Sequence, residues 1–160
     1  MAYSNDLLVP GDGSANGFTR VTTAREYNLG ETRFDNTGKK YRYVKFVDAV
    51  TYAVGQVLAP ANTAWTNVTN DRSGGSAIST AFGGVCISVP TQNQHGWVQI
   101  GGVATCTGDG SVAADEAVIL HTVDGEADTM AAGEEHLVFG TALEADSGSP
   151  TNFLCLLNGR

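Results

Sequence analysis

Basic charge is scarce in this sequence: nine Lys and Arg stand against seventeen Asp and Glu in 160 residues, a formal net charge of −8. A chain this acidic matches the phosphate backbone poorly, so no nucleic acid is expected as partner. Long apolar runs are missing as well. None approaches the ~18 residues of a membrane span, and no membrane partner is expected. Met1 to Pro10 carries no basic stretch and no long apolar stretch, so a secretory signal is not expected. Cysteine is rare. Cys86, Cys106 and Cys155 are odd in number, widely spaced and without a C-x-x-C pair. That argues against a disulfide framework or a zinc site and predicts buried free thiols, as in a reducing cytoplasm. Without staples the fold must rest on a core. At this length a chain buries roughly 70% of its extended surface, and the apolar content of 42% supplies the material.

Signatures of catalysis are also missing. His95, His121 and His136 are not paired at a metal-binding spacing such as H-x-x-x-H. No G-x-S-x-G elbow occurs, and the glycine pairs lack the Lys-Ser/Thr of a phosphate loop. Asp124, Glu126 and Asp128 alternate around a turn, and Asp109 lies near Asp115 and Glu116. Oxygen ligands at such spacings hold Ca²⁺ in some loops, but neither segment matches an EF-hand, and a solvated hairpin tip is the simpler account. No catalytic residue, no metal and no cofactor is therefore expected, and the chain does not read as an enzyme.

Glycine is plentiful, with 20 residues, and it punctuates β-type segments. Turn signals recur every ~8–15 residues and helix-period segments are almost absent. Phe18 to Tyr27 has the composition of a short strand. Glu31–Phe34 and Lys39–Val47, separated by Asp35-Asn36-Thr37-Gly38, predict a hairpin. In the second run Tyr41, Tyr43, Lys45 and Val47 share one face and Arg42, Val44 and Phe46 the other. Both faces are mixed, which places this strand at an edge or an interface. Further strands are expected at Val54–Ala59, Trp65–Thr69, Phe82–Val89, Gly96–Cys106, Ala117–Thr122, Ala127–Met130, Leu137–Leu143 and Thr151–Leu157. Arg72 to Ser76 reads as a loop. Gly101-Gly102 inside an apolar run predicts a bulge or tight bend, and Asp124-Gly125 a turn. The fold class is all-β, a small β-barrel or β-sandwich of short strands.

Residues 1–30 show little periodicity and read as an extended N-terminal arm, with residues 31–160 as the β-domain. Charge divides along the same line. Residues 1–45 hold seven basic residues, Arg20, Arg25, Arg33, Lys39, Lys40, Arg42 and Lys45, against five acids, whereas residues 46–160 hold two basic residues against twelve acids. Such asymmetry fits two surfaces facing different partners, and it fits chance plus solubility equally well.

Tyr41-Arg42-Tyr43-Val44-Lys45, Val54-Gly55-Gln56-Val57-Leu58, Phe82-Gly83-Gly84-Val85, Gly96-Trp97-Val98-Gln99-Ile100-Gly101-Gly102-Val103-Ala104 and Leu137-Val138-Phe139-Gly140-Thr141-Ala142-Leu143 follow one another in a set rhythm. In this, residues 31–160 resemble tailed-bacteriophage head decoration (capsid cement) proteins. The resemblance implies a β-rich virion structural protein, often a homotrimer, made in the host cytoplasm and bound to the outer head surface. Its partner would be the major capsid protein, and its task capsid stabilisation. The seven basic residues would face the capsid or a neighbouring subunit, and the arm would reach across to one of them. The alternative is a fibre or adhesin-type binding module for a host glycan or surface, with Trp65, Trp97 and Tyr41 as its candidate aromatics.

Overall fold

The computed structural model of the chain describes residues 17–72, 81–148 and 150–159. The first half of the expected arm, most of the loop that begins at Arg72, and Ser149 in the turn before Pro150 lie outside them. Ten strands follow in chain order: β1 (Thr32–Phe34), β2 (Lys40–Phe46), β3 (Val57–Pro60), β4 (Asn67–Thr69), β5 (Gly84–Cys86), β6 (His95–Gly108), β7 (Ala117–Leu120), β8 (Ala127–Thr129), β9 (Gly140–Ala142) and β10 (Thr151–Asn158). Two single turns of 3₁₀ helix, Gly17–Thr19 and Glu135–Leu137, complete the described elements. The all-β expectation holds.

The strand pairing forms one ten-stranded sheet that folds back on itself twice around β6. The first ring runs β2–β4–β3–β5–β6 and returns from β6 to β2. The second runs β6–β10–β9–β7–β8 and returns to β6 through one residue pair, Gly108 with Ala127. β6 serves both rings because it is 14 residues long and bent in the middle. Opposite β2, its register shifts by a residue between Lys40/Gly101 and Tyr41/Gln99, and Gly102 sits at φ +79°. The irregularity is therefore a bulge at Ile100, one residue before the expected Gly101-Gly102 pair, and Gly102, without a Cβ, takes up the left-handed backbone next to it.

Each ring closes over its own core. Val44, Phe46, Tyr52, Leu58, Val68, Cys86, Val98 and Ile100 fill the first. Ala104, Cys106, Val118, Leu120, Phe139, Phe153, Cys155 and Leu157 belong to the second core, and Val57, Ala59 and Val85 join it from the backs of β3 and β5. Alternation does this locally. In β10, Phe153, Cys155 and Leu157 are buried while Asn152, Leu154, Leu156 and Asn158 are exposed. All three cysteines are free and buried, as the sequence predicts. Burial pushes the Cys86 thiol up to about 11, partly offset by hydrogen bonding from the Ser88 backbone. The hydrogen bond with Cys155, then burial, holds Cys106 well above the ordinary thiol range. The thiolate is the reactive form. Alkylation at pH 8 is thus expected to be negligible in the folded chain and complete in denaturant; mass spectrometry that finds Cys86 alkylated rapidly without denaturant would contradict this burial.

Two expectations fail. Phe18 to Tyr27 forms no strand: it contains part of a 3₁₀ turn and one isolated bridge, Thr22 with His95. Side-chain packing wins over β-propensity, because Phe18 turns in to stack on Tyr41 at 4.1 Å. β2 is not an edge. It pairs with β1 and β4 along one side and with β6 along the other. Its mixed faces arise because Val44 and Phe46 line the first ring, while Tyr41 and Tyr43 pack under residues 17–30.

Candidate functional site

Residues 17–30 lie against the outside of the first ring. Phe18, Tyr41, Tyr43 and Trp97 form a third buried cluster, with Tyr27 and Leu29 packed against it. Trp97 meets Phe18 edge-on at 5.2 Å, and Tyr27 and Tyr43 at 5.3 and 5.2 Å. Gly30 N–H donates to the Tyr43 carbonyl and Tyr43 N–H to that of Glu31, so the segment joins β2 where β1 begins. The β1–β2 turn is held by Asp35. Burial alone would raise its carboxyl. Hydrogen bonds from the Thr37 hydroxyl, the Lys39 and Thr37 amides and the Tyr41 hydroxyl outweigh this and keep it below the usual range.

The seven basic residues lie on or next to residues 17–30, β1 and β2, but they are not equivalent. Arg20 is paired with Glu26 at 2.7 Å. Arg33 binds Glu31 at 2.6 Å and lies over the rings of Tyr27 and Trp97. Lys40 donates to the Gly159 carbonyl and approaches the Phe34 ring. Arg42 sits 5.4 Å from the Trp65 ring, its guanidinium pKa lowered by burial. Arg25, Lys39 and Lys45 meet no carboxylate at ion-pair distance among the described residues. Nothing in their sequence spacing separates them from the other four.

Of the three candidate aromatics, Trp97 is 1% and Tyr41 7% exposed, which removes both from any ligand surface. Trp65 remains half-buried at the start of β4, with backbone in the left-handed region at φ +57°. Asn62 fixes that turn: its carbonyl accepts the Trp65 N–H, and its side chain binds Thr66 and Asn67. A bulky residue in this conformation costs energy, and the surrounding structure has to hold it there. The result is an indole placed beside a shallow depression lined by Gly30, Arg42 and Ala64.

In the second ring, strand ends bring carboxylates together. Asp109 follows β6, His121 follows β7, and Glu126 and Asp128 lie before and within β8. His121 Nε2 is 3.8 Å from Asp109 and 3.9 Å from Asp128, and its Nδ1 is 3.6 Å from Glu126. The two acidic groups picked out in the sequence are therefore regrouped. Asp109 joins Glu126 and Asp128, whereas Asp124 accepts the Arg72 amide and Glu116 accepts the Thr129 hydroxyl. No sequence spacing marks His121, because the ring closure brings it in.

No family model and no curated protein matches this chain. Among solved structures it is similar to the N base of the head fiber gp8.5 of bacteriophage phi29. The TM-score is 0.51 at 13% identity, over 74% of this chain and 92% of that one. At that identity the likeness is one of fold.

Proposed function

We propose that the chain is a non-enzymatic structural protein of a phage head, fixed to the outside of the shell as a decoration protein or as the base of a head fibre. The observation that carries this reading is the fold shared with the phi29 head-fiber base across nearly all of that chain. Charge supplies the orientation. The described basic residues all lie in residues 17–72, while residues 101–159 hold ten acids and no Lys or Arg. The first ring faces the major capsid protein through Arg25, Lys39 and Lys45, and the acidic second ring faces solvent. Copies associate, as a trimer in the resemblance, and the exposed ladder of Val103, Leu154 and Leu156 across β6 and β10 offers them an apolar face.

The test is particle composition. Phage particles from the source, banded in a density gradient, are expected to carry the chain at a fixed ratio to the major capsid protein, with its density outside the shell in cryo-electron microscopy. Absence from the particle band overturns the reading. Lys39→Glu with Lys45→Glu is expected to lower occupancy about tenfold, and added salt to lower wild-type occupancy through screening. Occupancy unchanged between low salt and ~0.5 M would rule out this docking charge. The position of Trp65 favours a glycan-contacting fibre base as the second reading. On that reading Trp65→Ala abolishes host attachment and leaves head occupancy unchanged.

A further inference from the structure

We propose that Asp109, His121 and Asp128 form a binding site for a first-row divalent transition ion, with Glu126 as the outer partner of the imidazole. One donor atom from each of the three lies within 4.8 Å of the others. Metal bonds of ~2.0–2.2 Å to nitrogen and oxygen require donors roughly 3–4 Å apart. The present separations of 3.8 and 3.9 Å from Nε2 therefore need little closing.

The backbone forces these charges together. β6 and β8 run parallel and pair at Gly108 and Ala127, so the next residues, Asp109 and Asp128, stand side by side. Like charges in neighbouring strands repel. Their side chains are only 16% and 32% exposed, and that of Glu126 13%, so water screens them weakly. Ser111 reaches both aspartates, at 2.7 and 2.9 Å, but its hydroxyl carries a single proton. Residues 101–159 contain no Lys or Arg to compensate. Arg72 is the nearby cation, and its Nε donates to the His121 carbonyl while its amide donates to Asp124. Three carboxylates thus share one imidazole, and a divalent cation among them restores the balance.

The donor set selects the ion. One imidazole nitrogen with two carboxylates suits Zn²⁺, Co²⁺ or Mn²⁺, whereas Ca²⁺ takes six to eight oxygens. The Val123 amide donates to His121 Nδ1 at 3.3 Å, which places the ring proton on Nε2, toward the aspartates. On loading, Nε2 gives its lone pair to the metal and the proton moves to Nδ1. There Nδ1–H donates a hydrogen bond to Glu126 and gives up the contact with the Val123 amide, the carboxylate–imidazole–metal arrangement of many sites, and the proton count is unchanged. The ion ties together the ends of β6, β7 and β8, where the second ring closes through a single pair.

The full chain, stripped with EDTA and dialysed, is to be titrated with Co²⁺, Zn²⁺ and Ca²⁺. Expected are one Co²⁺ per chain with visible d–d bands, a Tm that rises with Co²⁺ or Zn²⁺, and Ca²⁺ binding at least tenfold weaker. His121→Ala and Asp128→Asn are each expected to abolish saturable binding, while Asp115→Asn, outside the cluster, retains it. Asp109→Asn keeps the side-chain shape and serves as a further check should His121→Ala fail to fold. No saturable binding at millimolar ion, or binding that survives both site variants, overturns the proposal.

Discussion

Trp97→Ala is expected to lower stability by about 3–5 kcal/mol, the usual range for removing a buried indole, and to drop Tm by about 10 °C. The size follows from what the ring touches. It is 1% exposed and contacts Phe18, Tyr27 and Tyr43, with the Arg33 guanidinium 5.6 Å from its centroid. The loss falls on two levels at once: the outer face of β6 and the anchorage of residues 17–30. Urea denaturation of single and double variants separates them. Phe18→Ala removes the edge-on partner of Trp97, and a double-mutant cycle between the two is expected to give a coupling near 1 kcal/mol, as for other aromatic pairs. A coupling of zero would mean that Phe18 does not dock on its own chain in solution. That result bears directly on function, because residues 17–30 would then be available to reach a neighbour.

Much of the fold was legible in the sequence, and particular residues show why. Asp35-Asn36-Thr37-Gly38 closes the β1–β2 hairpin with Gly38 at φ +85°, as Asn-Thr-Gly between aromatic-rich runs implies. Thr151 to Leu157 reads as a strand, and β10 is one, though it buries every second residue and leaves Leu154 and Leu156 exposed, which the unbroken apolar run did not announce. The failures concern information that is not local. Tyr41 and Tyr43 read as a mixed, half-polar face because the cover over them comes from residues 17–30, themselves without periodicity. Leu137 to Leu143 reads as one strand, yet Glu135–Leu137 forms a 3₁₀ turn and only Gly140–Ala142 pairs. The site residues were least legible. Seven basic residues clustered in sequence divide in space: Arg20 and Arg33 find carboxylates, Lys40 and Arg42 lie against a carbonyl and aromatic rings, and Arg25, Lys39 and Lys45 meet no carboxylate among the described residues, because ion pairing depends on where the chain sets Glu26 and Glu31. His121 carried no signal at all. Its neighbours come from β6 and β8, which meet only when the second ring closes.

Gly140→Ala is the second large effect, expected to cost about 3 kcal/mol in urea denaturation, at the upper end of the range for overpacking a core. Conformation is not the reason, since the backbone at Gly140 lies outside the left-handed region. Close approach is. A Cβ here would stand 2.6 Å from Cys155 Sγ and 2.7 Å from the Leu156 carbonyl oxygen, so β9 would have to move off β10. Gly38→Ala provides the contrast: no atom lies within 4 Å of its added Cβ, and only its φ of +85° opposes the change. It is expected to cost about 1 kcal/mol. Cys155→Ala in the Gly140→Ala background frees the sulfur's space but not the carbonyl's, so it recovers only part of the loss. The sharper reading lies in the shape of the transition. β9 belongs to the second ring and Trp97 to the first, yet both depend on β6. In a Trp65→Phe background, which leaves Trp97 as the reporter, fluorescence and far-ultraviolet dichroism are therefore expected to fall together in Gly140→Ala, at a lower urea midpoint than in the background alone. Two separated transitions, with the Trp97 signal persisting after part of the β-structure is lost, would mean that the rings fold independently and that β6 joins them without coupling them.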